Sequence, residues 1–475
     1  MKTALWTTWL SSLPVLRGST FLEKRDGDTR VVALPIQGTR SINPARRHRL
    51  RRRGSFAAAL DNEETMYFMN ATIGTPPQPI RLHLDTGSSD LWVNTPSSGN
   101  CLVHTDQCEL SGTYVANDSS TSQYIGSYFN ISYLDGSNAE GDYVSDTVTV
   151  GSQQLDRLQF GIGYGSSSAQ GILGIGYEIN EVQVGRAHME AYRNLPSRMV
   201  EEGLIQSRSY SLWLNDLYAN RGSILFGGVD SGKYEGQLQT LPIQSETGIF
   251  AEFMVTLTGI ELRNRTIGDK HMALAVLLDS GSSLTYLQDD MVKEIYTALG
   301  VHWTSTELVG YVPCSLAQER IDLTFNFSSP RIAVPMNELV LEIVTDKGDR
   351  PTFADGAPAC LFGIAPAGHG TNVLGDTFLR SAYVVYDMDR NQVSLAQTRF
   401  NSTVTKVQGI AAAGMNGTNG VPGATLVTNP VTATSGLVGY NAAGMGPKNA
   451  GGHGVSAMGR RWVLGLSFLV SLSGW

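Results

Sequence analysis

The chain has 475 residues, 41% of them apolar and 16% charged, with 52 glycines. This is enough apolar material for two or three packed domains; it excludes a chain disordered throughout and favours short strands and turns over long helices. Net charge is −8, but residues 1–53 hold 12 Lys and Arg against 3 Asp and Glu, leaving −17 on the rest, an acidic balance that argues against nucleic acid and towards cationic substrates or an acidic milieu.

In chain order, residues 1–18 begin with one Lys and a moderately apolar run too short to span a bilayer, as a secretory signal peptide does. Residues 19–53 form a basic pro-segment ending in RRHRLRRR, where cleavage after Arg52 and Arg53 would start the mature chain at Gly54; Lys24 and Arg25 offer an earlier cut. The body reads as mostly β, with an N-terminal lobe over 54–245 and a C-terminal lobe over 246–400. Alternating runs such as 141–150 and the hairpin 381–396 read as strands, and the best helices are 196–205 and 289–300. Four cysteines, even in number, permit three pairings; Cys101 with Cys108 and Cys314 with Cys360 is the economical one, a staple in each half. Zinc is disfavoured because no C-x-x-C is present. Seven sequons, at Asn70, Asn117, Asn130, Asn264, Asn326, Asn401 and Asn416, suit a secreted chain.

From 401 to 449 the composition turns to aperiodic Gly, Ala, Asn, Thr and Val, read as a flexible stalk. Residues 450–475 carry a spacer and a short apolar C-terminal tail behind Arg460 and Arg461. With small residues from Asn449 onward, this is the spacing of a GPI-attachment signal, Asn441 being a less well spaced second choice. The mature protein is then expected on the cell surface, anchored by a GPI lipid to the plasma membrane or passed on to the wall.

An internal repeat organises the body. HLDTGSSDLWV at 83–93 recurs as LLDSGSSLTYL at 277–287, and GILGIGY at 171–177 recurs as NVLGDTF at 372–378 at nearly the same offset. Two halves on one plan pack about a pseudo-twofold axis, which brings Asp85 and Asp279 together at the interface. Thr86 and Ser280 can then bond across to the opposite loop, Gly87 and Gly281 admit backbone amides to the carboxylates, and Ser88 and Ser282 bond their outer oxygens. At about 3 Å and an effective dielectric near 20, two carboxylate charges repel by roughly 5 kcal/mol, so the pair holds one proton near neutral pH. A water between them faces a base on one side and an acid on the other, which suits direct attack on an amide carbonyl.

These two motifs, IGTPPQ at 73–78, Trp92 and the paired apolar-apolar-Gly segments resemble the pepsin-like aspartic proteases over roughly residues 65–400. The resemblance implies a bilobal β fold with the site in the cleft, no cofactor, no metal, a monomer, and peptide or protein substrates. FNISYLDGS at 129–137 is similar to the family's flap, implying that Tyr133 closes over substrate and bonds towards Trp92, with Asp135 and Gly136 at the hairpin tip; Leu134 stands where many members have Gly. With the basic pro-segment and GPI-like tail, the chain most resembles the yapsin-type fungal surface proteases. That implies cleavage after Lys or Arg, with Asp135 above the pocket for the residue preceding the scissile bond. A charge-assisted bond there contributes roughly 1.5 to 3 kcal/mol. The bland reading is that Asp135-Gly136 is only a turn.

Two rivals fare worse. A serine nucleophile at Ser280 lacks an upstream catalytic-His segment and has Leu278 where the trypsin group has Gly. A catalytically silent wall-binding glycoprotein of the same fold would have no need of both aspartates, Tyr133 and their hydroxyl neighbours.

Overall fold

The computed structural model describes residues 30–39 and 66–437, apart from 134–135, 220, 304–308, 345–348 and 414–419. The signal peptide, Arg52 and Arg53, Asp135, Asn416, Asn449 and the tail 450–475 lie outside the described residues.

The chain is mostly β and bilobal. Each lobe is built on the same five-strand arrangement, which makes the sequence repeat visible as topology. In the first lobe, Gln78–Asp85 lies beside Met66–Ile73 and runs parallel to Gly171–Gly174, which is antiparallel to Leu91–Asn94, itself parallel to Gln153–Ser166. In the second, Leu274–Leu278 lies beside Met254–Leu257 and parallel to Val373–Leu374, which pairs antiparallel with Thr285–Leu287, itself parallel to Ile364–Pro366. Parallel neighbours bury a strand on both faces. All five residues of Leu274–Leu278 are accordingly buried and apolar.

The lobes are joined by a continuous sheet whose middle strands are Ala382–Asp387, Ser209–Trp213, Gly222–Phe226, Val32–Thr39 and Met66–Ile73. Beneath the junction, Tyr210 stacks on Tyr386 at 4.9 Å and Phe253 meets Tyr386 at 4.6 Å and Tyr177 at 5.3 Å. A fully buried ion pair joins Arg380 Nε to Glu338 at 2.5 Å, and the Arg380 charge acts on Tyr67 of the first lobe. Both disulfides take the economical pairing, Cys101–Cys108 and Cys314–Cys360, each inside one lobe.

Two sequence expectations change. The sheet of the N-terminal lobe, expected from residue 54, takes in part of the expected pro-segment 19–53: Val32–Thr39 is an inner strand, hydrogen-bonded to Gly222–Phe226 and to Met66–Ile73, with Val32, Leu34 and Ile36 buried. Its alternation of apolar residues is the ordinary signal of a strand in a packed sheet. The flexible stalk 401–449 is also corrected. Val407–Gly409 pairs with Gly228–Asp230, Ala424–Leu426 pairs parallel with Tyr234–Pro242, and Ile410, Val421 and Ala433 are buried, so the described part of 401–437 is strapped to the body. Backbone hydrogen bonds hold this strap, and they require no hydrophobic period in the sequence.

Candidate active site

Asp85 ends the strand Gln78–Asp85, and Asp279 follows Leu274–Leu278 directly, so each carboxyl leaves a core strand at the lobe interface. Both are nearly buried, 4% and 8% exposed. The loops grip one another with matched bonds. Thr86 Oγ1 donates to Leu278 O at 2.9 Å and accepts from Ser280 N at 3.0 Å; Ser280 Oγ donates to Leu84 O at 2.9 Å and accepts from Thr86 N at 3.2 Å. Gly87 N donates to Asp85 Oδ1 at 2.8 Å and Gly281 N to Asp279 Oδ1 at 2.7 Å. Ser88 Oγ bonds Asp85 Oδ2 at 2.5 Å and Ser282 Oγ bonds Asp279 Oδ2 at 2.7 Å.

The glycines are required by closeness. A Cβ on Gly87 would stand 2.6 Å from Asp279 Oδ1, and one on Gly281 would stand 2.4 Å from Asp85 Oδ1, distances no side chain tolerates. The two carboxyls are close enough for each to act on the other's charge. Burial, then the Asp279 charge, push Asp85 well above the ordinary carboxyl range. One proton is therefore retained by the pair, while every outer oxygen named above is fixed by an amide or hydroxyl donor. This arrangement can orient a water and exchange its proton within one step.

Over the dyad, Trp92 Nε1 donates to Tyr133 OH at 2.7 Å. Tyr133 N donates to Ser137 O at 2.8 Å and Gly136 N to Tyr133 O at 3.0 Å, closing the hairpin tip. Burial, then the Asp85 charge, hold the Tyr133 phenol protonated, so it remains a donor across the working pH range. Arg186 ties the flap strand to the lobe through Asn130 Oδ1 and Ser132 Oγ.

Three acidic side chains escaped the sequence reading. Glu252 feels the Asp279 charge, and burial, then Glu246 and Asp279, push it up to about 7. Glu246 has both carboxylate oxygens buried without a hydrogen-bond partner. Asp376 is fully buried, raised by burial and by Asp279 and lowered by Arg380. Only Asp376 had a signal, as the acid in the repeated NVLGDTF segment.

Of the sequons, Asn70, Asn117, Asn264 and Asn401 are exposed, whereas Asn130 accepts from Arg186 and Asn326 donates to Glu261 at 3.1 Å. Among the described residues no cluster of three His, Cys, Asp or Glu is placed to hold a metal, and no helix is long and apolar enough to cross a membrane.

Residues 66–398 match the description "Eukaryotic aspartyl protease". The chain belongs to this family. Membership makes it an aspartic-type endopeptidase, acting on peptide bonds. It is 52% identical over 436 residues to the probable aspartic-type endopeptidase opsB of Aspergillus oryzae, covering 90% of this chain and 88% of that one. Likeness to the probable aspartic-type endopeptidase OPSB of Arthroderma benhamiae is 47%, over 86% and 84% of the two chains. Likeness to secreted aspartic protease 8 of Candida albicans is 35%, over 74% and 80%.

Proposed function

We propose that this endopeptidase works in the secretory pathway and at the cell surface, held by a GPI anchor near Asn449, that it is most active at acidic pH, and that it prefers Lys or Arg before the scissile bond increasingly as pH rises. Asp85 and Asp279 share one proton and activate water between them; Tyr133 closes over the substrate. The support for the specificity is that Glu252 feels the charges of Glu246 and Asp279 and that both Glu246 carboxylate oxygens are buried without a hydrogen-bond partner among the described residues. A substrate ammonium or guanidinium there would restore the missing charge, and the net −17 of the chain after residue 53 acts in the same direction.

The pH dependence follows in sign. Glu252 is pushed up to about 7 in the free enzyme, so it is neutral in acid and gains charge as pH rises. Preference for basic residues should strengthen between about pH 6 and 8 and give way to large apolar residues below. Profiling cleavage of a mixed peptide library at several pH values, for the wild type, Glu252→Gln and Asp135→Ser, tests this. An unchanged preference in both variants overturns the basic specificity while leaving the peptidase assignment intact. Inhibition by a statine peptide tests the mechanism.

Maturation is proposed to remove residues up to a dibasic cut. Because Val32–Thr39 is an inner strand, a cut after Lys24 and Arg25 leaves the sheet complete, whereas a cut after Arg52 and Arg53 frees the strand's covalent link. N-terminal sequencing of the secreted enzyme distinguishes the two.

A further inference from the structure

The family match ends at residue 398, yet the chain stays on the body to the last described residue. Lys406 N bonds Asp230 Oδ1 at 2.6 Å, Ile410 N bonds Gly227 O at 2.8 Å, Val427 N bonds Thr240 O at 3.0 Å, and Ala433 N bonds Gln244 Oε1 at 3.0 Å. The strap ends on a particular strand. Thr434 N donates to Ala273 O at 2.9 Å, and Ala275 N donates to Ser435 O at 2.8 Å, forming a parallel bridge between Leu274 and Ser435.

That strand, Leu274–Leu278, leads into Asp279. Its counterpart Gln78–Asp85 is paired on the parallel side from Leu82 to Asp85, with Gly171–Gly174, a span that stops short of Ile80 and Arg81. In the second lobe Val373–Leu374 pairs with Leu277 and Leu278 on that side and reaches the next residue through Asp279 N to Leu374 O at 3.2 Å. Leu274 and Ala275, which stand in the repeat where Ile80 and Arg81 stand, are taken up on the same edge by the strap. Gly436 makes the approach possible: its φ is +81°, and a Cβ there would meet Ala275 O at 2.7 Å and Leu274 Cδ1 at 2.9 Å.

We infer that residues 433–436 are a positioning element for Asp279, extending the edge pairing of its strand beyond the span that the first lobe's strand has. The inference rests on Asp279 being one of the two catalytic aspartates. The strand enters the core at Leu274 and delivers its carboxyl at residue 279; loosening the first end lets the second drift, and displacements of an ångström at a reacting group are costly.

Three variants of the full chain test it: Gly436→Val, a stop after residue 432, and a stop after residue 437 as a control that keeps the bridge. The first two are expected to lower kcat about tenfold with KM within twofold, to leave the cleavage sites unchanged, and to speed amide exchange at Ala275 at least tenfold. The stop after 437 keeps wild-type kcat. A structural role alone would lower thermal stability without moving kcat at a temperature where circular dichroism shows the variant folded; that result overturns the inference. If the stop after 432 does not fold, Gly436→Val decides. Activity surviving in Asp279→Asn would overturn the catalytic reading itself, independently of these variants.

Discussion

Five residues beyond each dyad aspartate the lobes part company: the first has Asp90, the second Leu284. Both sit at the base of their loop with no exposed surface. Asp90 accepts from Tyr143 OH at 2.5 Å, Tyr192 OH at 3.0 Å and Val182 N at 2.9 Å, while Leu284 packs among Leu217, Leu341, Leu361 and Ala365. The loops above them make the same bonds to one another. One loop geometry can therefore be seated on a hydrogen-bonded carboxyl or on apolar packing, and the likeness of the two loops is confined to the grip and its two carboxyls.

The comparison predicts where the halves are equivalent and where they are not. The largest effect is expected from Asp85→Asn and Asp279→Asn, each lowering peptide hydrolysis about a thousandfold or more in a folded protein, because either change removes half of the shared-proton pair. Unequal losses in kcat would show that the symmetry of the grip does not extend to the reaction. Next, Asp90→Leu leaves two buried phenols and one amide without their acceptor, and Leu284→Asp buries a carboxyl in an apolar cluster. Each should cost about 3 kcal/mol and lower the melting temperature by roughly 5–10 °C. Tolerance of either exchange would mean the two seats are interchangeable.

A pH-dependent difference is smaller but has a definite sign. Glu181, fully buried against the Asp90 site, is pushed up to about 11 from an ordinary 4.5, by burial first and by Asp90 second; Asp90 itself is raised by burial. The fold holds their protonated forms, so this stabilisation is complete below about pH 4.5 and drains away as pH climbs towards 11. In the second lobe the buried Glu338, also raised by burial, has Arg380 against it to pull it down. Thermal unfolding of Glu181→Gln should flatten the decline of stability between pH 5 and 8, and a slope equal to the wild type's would assign the decline elsewhere. The smallest effect is expected from Ser280→Thr, which makes the second tripeptide match the first. Its hydroxyl contacts are retained and one methyl is added to a filled site, so kcat should stay within about threefold while stability falls by about 1 kcal/mol.

The fold and the dyad were legible because they recur: two Asp in the same apolar frame, each followed by a hydroxyl residue and Gly, and two later apolar-apolar-Gly segments. Recurrence carries more information than any single tripeptide. Asp90 lay in plain view in DTGSSD but has no counterpart in DSGSSL, so a reading by repeats passed over it. Glu252 sits in GIFAEF, where a lone carboxylate has no spacing that marks it; only its neighbours in space do. The strand Val32–Thr39 had a legible alternation, yet a basic run after it made the whole stretch look detachable. The strap was illegible because Gly, Ala and Thr held by main-chain bonds leave no period.

The strap also sets a length. From Leu437, its last described residue, to Asn449 there are twelve residues, and at about 3.5 Å each even a fully drawn-out chain reaches only ~40 Å. A tether free from residue 401 would reach roughly four times as far. Anchored at Asn449, the protease would patrol a thin shell above the lipid, about the depth of one globular domain. Its targets would be decided as much by the height of their scissile loops above the membrane as by the residues in them, and a longer leash inserted after Leu437 would widen the set of proteins it can cut without altering the cleft.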